Sequence, residues 1–344
     1  MFPFRSRSRP SQVRINATEI LVNPKETLLQ AALRHGIDFP HSCRVGGCAT
    51  CKCRLLSGRV RELTEASYVL TDEELDQGYI LACQSVPLGD LRIEVDLARH
   101  SARRHVRGKV VGQQRLTHDI THLQVQLDEA LPYKAGQYAT LTLDALPGQP
   151  RPFSFCTPMQ PDAQVGFFIR KVPGGAFTGW VDERPLLGQG LVLEGPQGDF
   201  HLRPATAPLL LIAGGSGLAP LLAILHEALA AGVTRPATLL FGARQQRDLY
   251  ALADITAIAA RWPAPFRFVP VLSDITPETP WSGARGLVTT QIQPLLEPGA
   301  HTYLCGPPAM IDSASALLRG LGVAPEHIHA DRFTTTAPAA LADA

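Results

Sequence analysis

The sequence predicts a multidomain chain that joins an α+β fold to an α/β fold. Over the first ninety residues or so, short strand pairs and one helix indicate a compact α+β module. A strand-rich stretch follows, in which proline and glycine recur at the intervals of a small antiparallel barrel. Strands and helices then alternate, which is typical of a doubly wound parallel sheet. The 344 residues suffice for two or three such domains.

Composition narrows the range of functions. The net charge of +1 gives no concentrated basic face, so we expect no nucleic-acid partner. No apolar run reaches the length of a membrane span. Seven cysteines, four of them in one pattern, suit a reducing compartment, so we expect a cytoplasmic protein. We also expect a monomer.

Changes in residue pattern predict the domain boundaries. The predicted segments are a flexible tail (1–10), an α+β domain (11–98), a linker (99–105), a barrel (106–204), an α/β domain (205–336) and a second flexible tail (337–344).

Two local patterns organise the α+β domain. Alternating polar and apolar residues on either side of Asn16-Ala17 predict a hairpin over residues 12–23. Thr27 and Gln30 form a capping-box pattern, which predicts the start of a helix that Gly36 ends.

Four cysteines in this domain have a distinctive spacing. Four residues separate Cys43 from Cys48, two separate Cys48 from Cys51, and 31 separate Cys51 from Cys83. This is the ligand spacing of plant-type ferredoxins, in which four thiolates hold a 2Fe–2S cluster. The resemblance implies a β-grasp ferredoxin fold for this domain and a cluster bound by these four residues.

Two other interpretations of the cysteines compete with the cluster. A structural zinc site normally pairs two short loops symmetrically, which the four-residue gap does not match. Disulfides belong chiefly to secreted chains, and nothing in this sequence is typical of secretion.

A glycine-rich turn follows the first buried strand of the α/β domain. The apolar run 209–213 leads directly into Gly214-Gly215-Ser216-Gly217, and a helical stretch follows. Such glycines form a tight turn, or they present backbone N–H groups at a helix start to a pyrophosphate. The spacing differs from the common Gly-x-Gly-x-x-Gly dinucleotide fingerprint.

The turn resembles a motif of the ferredoxin–NADP reductase superfamily. Its nicotinamide domain opens with Gly-Gly-x-Gly-x-Ala-Pro, and residues 214–220 read Gly-Gly-Ser-Gly-Leu-Ala-Pro. The resemblance implies that Gly214, Gly215, Ser216 and Gly217 bind the coenzyme.

A second resemblance concerns the flavin. Arg151-Pro152-Phe153-Ser154 is similar to the superfamily's Arg-x-Tyr-Ser motif. The resemblance implies that Arg151 pairs with a flavin phosphate, Phe153 packs on the isoalloxazine and Ser154 hydrogen-bonds near N5. Phenylalanine in place of tyrosine retains the flat face for stacking and loses the hydroxyl.

Further motifs follow in the superfamily's order. Arg170 and the run Gly174-Gly175-Ala176-Phe177-Thr178 resemble its second phosphate site, although Thr178 is also a residue that caps helices. Cys305-Gly306-Pro307-Pro308-Ala309-Met310 resembles the strand end at which a cysteine lies beside the nicotinamide. An isolated buried cysteine is more often a small core residue. Asp331 and Phe333 resemble the acidic–aromatic ending that lies near the flavin.

The order cluster, flavin, nicotinamide resembles the reductase components of oxygenase and desaturase systems. The resemblance implies an NAD(P)H oxidoreductase with a 2Fe–2S cluster, FAD and NADH. Ser154, Cys305 and Asp331 would then be the catalytic-site residues. The partner would be a protein electron acceptor, either an oxygenase, a desaturase or a ferredoxin.

The choice between NADH and NADPH, and that between FAD and FMN, are both open at this point. Arg244 and Arg247 favour the extra phosphate of NADPH, whereas Asp248 favours the ribose of NADH. The resemblance favours NADH with NADPH as an alternative, and FAD over the FMN of a related group. Other functions weighed against this one are a reductase for diffusible acceptors and an iron–sulfur redox sensor.

Overall fold

The computed structural model describes residues 9–41, 46, 49–66, 69–70, 72–97, 104–276 and 279–333. Cys43, Cys48 and the predicted tail 337–344 lie outside these residues, as do most of the N-terminal tail and most of the linker. The chain divides into two compact units, Met1–Ala102 and Arg103–Ala344.

Unit 1 is an α+β fold, as predicted. Its strands are β1 (Ser11–Ile15), β2 (Thr18–Val22), β3 (Lys52–Ser57), β4 (Val60–Glu62), β5 (Tyr79–Leu81), β6 (Ser85–Pro87) and β7 (Leu91–Glu94). Its helices are α1 (Leu28–Arg34) and α2 (Asp72–Asp76). The main sheet has the order β2-β1-β7-β3-β5, with β1 and β7 parallel and the other neighbours antiparallel.

The predicted hairpin and capping box of unit 1 are confirmed. Ile15 pairs with Thr18 across the turn, and Asn16 has a φ of 53°, a left-handed conformation that asparagine tolerates. Gln30 N donates to Thr27 Oγ1 while Thr27 N donates to Gln30 Oε1, at 3.2 and 3.0 Å. The helix α1 then places Leu28, Leu29 and the alanines that follow in the core beneath the sheet.

The N-terminal half of unit 2 is an antiparallel sheet that closes on itself. Its elements are β8 (Arg104–Arg115), β9 (Ile120–Leu127), β10 (Tyr138–Leu143), β11 (Arg151–Ser154), β12 (Gln164–Arg170), α3 (Ala176–Glu183) and β13 (Gly190–Gln197). The order is β11-β10-β13-β8-β9-β12, and a bridge between Phe155 and Phe167 joins the two edges. The predicted barrel is therefore confirmed, and its first strand begins at Arg104, inside the predicted linker.

The C-terminal half of unit 2 is the predicted doubly wound domain. Its elements are β14 (Leu209–Gly214), α4 (Leu218–Ala230), β15 (Ala237–Ala243), α5 (Leu252–Arg261), β16 (Phe266–Leu272), β17 (Ala284–Arg285), α6 (Ile292–Leu295), β18 (His301–Gly306), α7 (Pro308–Gly320) and β19 (Ile328–Arg332). The strands form a parallel sheet of order β17-β16-β15-β14-β18-β19.

Alternate residues of the central strands enter two different cores. Leu209 and Leu211 face one core, whereas Leu210 and Ile212 face the other, as the two-residue period of a strand requires. The first of these cores also contains Phe168 and other residues of the barrel. The barrel and the parallel sheet thus share apolar packing, and this is why they form one unit.

Candidate functional site

Unit 1 brings two of the predicted cluster ligands together. Cys51 directly precedes β3, Cys83 follows β5, and Lys52 pairs with Leu81 across these antiparallel strands. Both cysteines are buried, at 3% and 5% exposure, and Cys83 N donates to Cys51 Sγ at 3.5 Å. Backbone N–H bonds to the cysteine sulfurs are one of the features that tune an iron–sulfur cluster.

The segments around these cysteines fit a group bound at a close-packed loop. Gln84 Nε2 donates to Cys83 Sγ at 3.7 Å. Gly46 has a φ of 78°, and a Cβ there would lie 2.8 Å from Gln84 Cγ and 2.9 Å from Thr64 Oγ1. The thiols, the N–H donors and this close approach suit a 2Fe–2S cluster, whose two other predicted ligands lie outside the described residues.

Cys53 belongs to the core of unit 1. It is 1% exposed and pairs with Ile80 in the sheet. Burial, and next the nearby Cys83, raise the pKa of the Cys53 thiol far above its usual range. The side chain is therefore a neutral thiol that contributes apolar packing.

The predicted flavin motif forms the edge strand β11. Arg151 is partly exposed and donates to the carbonyl of Pro150 at 2.8 Å, and Pro152 is exposed. The ring of Phe153 is half-buried and lies 5.2 Å from that of Phe177. Ser154 is buried opposite Tyr138. A half-buried aromatic ring beside a cationic fork suits a flavin and its phosphate.

The glycine-rich loop leads into helix α3, the first helix of unit 2. Gly174 has a φ of 71°, and Gly175 precedes the helix without a side-chain cap. The first N–H groups of such a helix have no intrahelical acceptor and suit an anion. The Thr178 hydroxyl accepts from Val172 N at 3.1 Å, so it closes the loop rather than capping the helix N-terminus.

In the predicted nucleotide turn, packing requires one glycine and backbone conformation favours another. A Cβ at Gly217 would lie 2.1 Å from the carbonyl oxygen of Cys305, so the turn touches the end of β18. Gly215 has a φ of 55°, a conformation that glycine adopts at little cost. The tight-turn and coenzyme interpretations of this segment are thus compatible.

A cleft of about 500 Å³ opens at the carboxyl ends of the parallel strands. Open α/β sheets bind their ligands at this edge. The lining includes the predicted residues Arg170, Gly214, Gly215 and Arg244. In the described part of the chain, Ser216, Gly217, Cys305 and Gly306 do not line it.

A barrel residue carries charge into this cleft. Arg170 Nε donates to Asp119 Oδ2 at 2.9 Å, and Thr117 Oγ1 donates to Asp119 Oδ1 at 3.0 Å. Partial burial alone would raise the pKa of Asp119, but these two hydrogen bonds outweigh it and hold the pKa below its ordinary value. Asp119 therefore remains an anion that orients Arg170.

Tyr250 is a site residue that the sequence analysis missed. Its hydroxyl donates to the carbonyl of Gly215 at 3.0 Å, and its ring meets those of Phe168 and Phe241 edge-on. Burial raises the pKa of Tyr250 well above its usual value, so the hydroxyl is a neutral donor. No local pattern identifies it, because its partners come from three distant strand ends.

Cys305 and Asp331 are neighbours on parallel strands. They pair between β18 and β19, and Cys305 Sγ lies 4.0 Å from Asp331 Oδ2. Cys305 is fully buried, and burial together with the charge of Asp331 raises the pKa of its thiol well above the usual value. Phe333 N donates to the carbonyl of Gly306 at 3.0 Å, which brings this residue to the same strand end.

Among the described residues, no helix has the length and apolar character that crossing a membrane demands.

Three domain families match the chain in succession. Residues 13–88 match the 2Fe-2S iron-sulfur cluster binding domain. Residues 107–202 match the oxidoreductase FAD-binding domain, and residues 211–316 match the oxidoreductase NAD-binding domain. The predicted order of domains and the three predicted cofactors are confirmed.

Relatives match over nearly the whole chain. The xylene/toluene monooxygenase electron transfer component XylA of Pseudomonas putida is 42% identical, covering 91% of this chain and 90% of that protein. The ferredoxin–NAD(P)(+) reductase component of a naphthalene 1,2-dioxygenase system of Pseudomonas putida is 37% identical, covering 92% and 98%.

Solved structures share the whole fold. The Amycolatopsis cytochrome P450 reductase GcoB has a TM-score of 0.70 and 34% identity, covering 94% of this chain and 99% of that one. A ferredoxin reductase in carbazole 1,9a-dioxygenase has a TM-score of 0.68 and 30% identity, covering 95% and 99%.

Proposed function

The chain belongs to the ferredoxin–NADP reductase superfamily, among the iron–sulfur flavoprotein reductase components of oxygenase systems, and we propose that it delivers electrons from NADH to an oxygenase. The observation that carries this proposal is that one chain contains the buried cysteine pair of unit 1 together with the FAD-binding barrel and the coenzyme cleft of unit 2. When bound, FAD accepts a hydride from NADH and a 2Fe–2S cluster carries single electrons.

The barrel residues bind and orient the flavin in this proposal. Arg151 pairs with a flavin phosphate through its guanidinium fork, and Phe153 gives the isoalloxazine a flat apolar face. Ser154 supplies a hydroxyl at the flavin N5. The N–H groups at the start of α3, presented by Gly174 and Gly175, hold the pyrophosphate, and Thr178 supports them by closing the loop.

The parallel sheet binds and orients the nicotinamide. Gly214 and Gly215 line the cleft in which the coenzyme pyrophosphate binds, and Arg170 supplies a positive charge that Asp119 holds in place. Ser216 and Gly217 complete the turn. Neither Ser154 nor Cys305 needs to exchange a proton, because hydride transfer depends on ring alignment.

In this proposal, residues at the end of β18 support the nicotinamide site without lining the cleft described above. Cys305 is a neutral thiol and therefore not a nucleophile at neutral pH. The Gly306 carbonyl accepts the hydrogen bond from Phe333 N, and Asp331 lies against the Cys305 sulfur. We assign Cys305 and Asp331 to positioning of the nicotinamide, and Phe333 to the flavin side.

In this proposal, electrons leave the protein from the cluster site. We propose that Cys43, Cys48, Cys51 and Cys83 hold the 2Fe–2S cluster, with Cys83 N–H bonded to the Cys51 sulfur. The acceptor is a protein, since the relatives named above serve a monooxygenase and a dioxygenase. Because the chain supplies only electrons in this proposal, it needs no binding site for an aromatic substrate.

We also propose a cytoplasmic monomer with three structural segments beyond the tails: residues 11–98, 106–204 and 205–336. Cys53, Cys156 and Cys305 are thiols rather than disulfides, which suits a reducing compartment. Sedimentation of the holoprotein at the mass of one 37.1 kDa chain plus cofactors supports the monomer, and a dimer mass contradicts it.

An anaerobic titration tests the proposed function. NADH should bleach both the flavin and the iron–sulfur absorbance of the holoprotein, and Cys83→Ser should lose the iron–sulfur signal. That variant should keep NADH-driven reduction of ferricyanide and lose reduction of a protein acceptor. Cys53→Ala is the matched control, because it removes a buried thiol from the same unit and should retain the iron. Protein-acceptor reduction by Cys83→Ser at the normal rate would refute the proposal.

A further inference from the structure

A buried amide lies between the proposed cluster ligand Cys83 and the surface of unit 1. Gln84 directly follows Cys83, is 8% exposed, and its Nε2 donates to Cys83 Sγ at 3.7 Å. Its Oε1 accepts from Thr64 Oγ1 at 3.4 Å, and Thr64 is exposed. One side chain therefore connects a proposed ligand sulfur to a surface hydroxyl.

The backbone holds Gln84 and Thr64 in register. Gln84 N donates to the carbonyl of Leu81 at 2.9 Å, and Leu63 N donates to the Gln84 carbonyl at 2.8 Å. The second of these bonds extends the pairing of β4 with β6. Because Thr64 directly follows Leu63, the same strand pair brings its hydroxyl to the amide.

Packing confines the Gln84 side chain from a third direction. Gly46 lies in sequence between the proposed ligands Cys43 and Cys48. A Cβ at Gly46 would lie 2.8 Å from Gln84 Cγ and 2.9 Å from Thr64 Oγ1. These two side chains thus occupy the space that a side chain at residue 46 would need, and Gln84 stays close to the cluster loop.

The direction of the amide suits a metal-bound thiolate. A thiolate accepts hydrogen bonds and has none to donate, and the amide turns its N–H₂ group toward Cys83 because its oxygen is engaged by Thr64. An electron that enters a cluster adds negative charge at the sulfurs, so a donor stabilises the reduced state more than the oxidised one. Burial of Gln84 strengthens this effect, because the local dielectric constant is low.

We propose that Gln84 raises the reduction potential of the 2Fe–2S cluster through its hydrogen bond to Cys83, and that Thr64 is the positioning residue that orients the amide. Hydrogen bonds to the sulfurs are among the properties that set the potentials of such clusters. The proposal rests on the proposed function for the presence of the cluster. It adds the side chains that set how readily that site accepts an electron.

A mediated redox titration of the holoprotein tests the proposal without a protein acceptor. The EPR signal of the reduced cluster reports its potential, and absorbance reports that of the flavin. Gln84→Met keeps an unbranched side chain and removes the N–H donor. We expect the equilibrium constant for one-electron reduction of the cluster to fall about tenfold, which is a downward shift of about 59 mV. The flavin potential should not change, because Gln84 belongs to unit 1.

Two further variants separate the hydrogen bond from general effects of substitution. Thr64→Val removes an exposed hydroxyl that orients the amide and leaves the N–H₂ group in place. It should lower the same equilibrium constant by a smaller factor, about threefold. Gln12→Met makes the matched substitution on β1, where the amide donates to Glu19 Oε2 at 3.2 Å, and should leave the cluster potential unchanged.

An unchanged cluster potential in Gln84→Met would overturn the inference, and so would an equal shift in Gln12→Met. If Gln84→Met does not retain its iron, Thr64→Val decides the matter: a lowered potential supports the role of the amide, and an unaltered one contradicts it. Absence of an iron–sulfur EPR signal from the reduced, unaltered holoprotein would instead refute the proposed function. The two failures are therefore distinguishable.

Discussion

Tyr250 fixes the turn at which the coenzyme cleft begins. Its hydroxyl bonds to the Gly215 carbonyl, and its ring packs between Phe168 of the barrel and Phe241 of the parallel sheet. One side chain thereby couples the conformation of the nucleotide turn to the contact between barrel and sheet. Tyr250 itself lines the cleft, and its hydroxyl also positions the nucleotide turn through the Gly215 carbonyl.

We predict that Tyr250→Phe weakens coenzyme binding. The variant keeps the ring contacts and removes a hydrogen bond worth about 1 kcal/mol, so KM for NADH should rise about fivefold. Flavin content should not change. Tyr303→Phe is the control, because it removes the bond from Arg203 N to a buried tyrosine elsewhere in the same sheet. Measurement of KM and kcat for both variants checks this, and an equal rise in KM would contradict it.

Gly217 shows that a glycine in a nucleotide turn also serves packing. Because an added Cβ would meet the Cys305 backbone at 2.1 Å, we predict that Gly217→Ala forces a shift that costs about 1–3 kcal/mol. Gly320→Ala is the matched control: this helical position in α7 has open space around it, and alanine should stabilise it by up to about 1 kcal/mol. Urea unfolding of the holoprotein measures both, and a stable Gly217→Ala would be the contrary result.

At the level of elements, local sequence patterns predicted much of the fold. The reciprocal hydrogen bonds of Thr27 and Gln30 depend on four consecutive residues, so the pattern alone identifies the helix start. The apolar run 209–213 is buried throughout, as its composition implies. Such features need no knowledge of distant contacts.

Other features were beyond the reach of local patterns. Asp248 is an acidic residue near a nucleotide turn in sequence, yet the structure uses it as a cap beside His118, which comes from the barrel. Tyr250 acquires its role only because β12 and β15 bring two phenylalanines to it. The extent of the shared core between barrel and sheet is likewise a tertiary property.

Three histidines lie close together: one on β18, one on β19 and one in the turn that directly precedes β19. The rings of His301 and His327 stack at 4.1 Å, and His329 stacks on Tyr303 at 4.7 Å. His301 Nδ1 and His329 Nε2 are buried without a hydrogen-bond partner among the described residues. Burial first, and then the charge of Arg203 and the neighbouring histidines, lower the pKa of His329 to about 4.

We predict that this group makes the fold sensitive to acid. The unfolded chain protonates His329 near pH 6.5, whereas the folded chain resists protonation until about pH 4. The associated stability, on the order of 3 kcal/mol, is therefore complete above about pH 6.5 and is lost as the pH falls toward 4.

Unfolding measured between pH 7 and pH 4.5 checks this prediction. His329→Gln should reduce the slope of stability against pH. An unchanged slope in His329→Gln would assign the acid sensitivity to other groups.

The whole molecule consists of two units with separate cores. Unit 1 packs its sheet on α1, and the barrel and parallel sheet of unit 2 pack on each other. Because the cores are separate, each unit has the apolar contacts it needs to fold.

We predict that residues 103–344, produced alone, fold and bind FAD. This fragment should reduce ferricyanide with NADH at a rate similar to that of the full chain, and it should not reduce a protein acceptor. Absorbance spectra and the two assays check this. An insoluble fragment, or one that still reduces the protein acceptor, would contradict it.

The separateness of the two cores has an evolutionary consequence. Recombination near residue 102 would exchange unit 1, which carries the proposed cluster site, and would leave the shared core of unit 2 intact. Such an exchange would replace about one hundred residues and leave those around the coenzyme cleft unchanged.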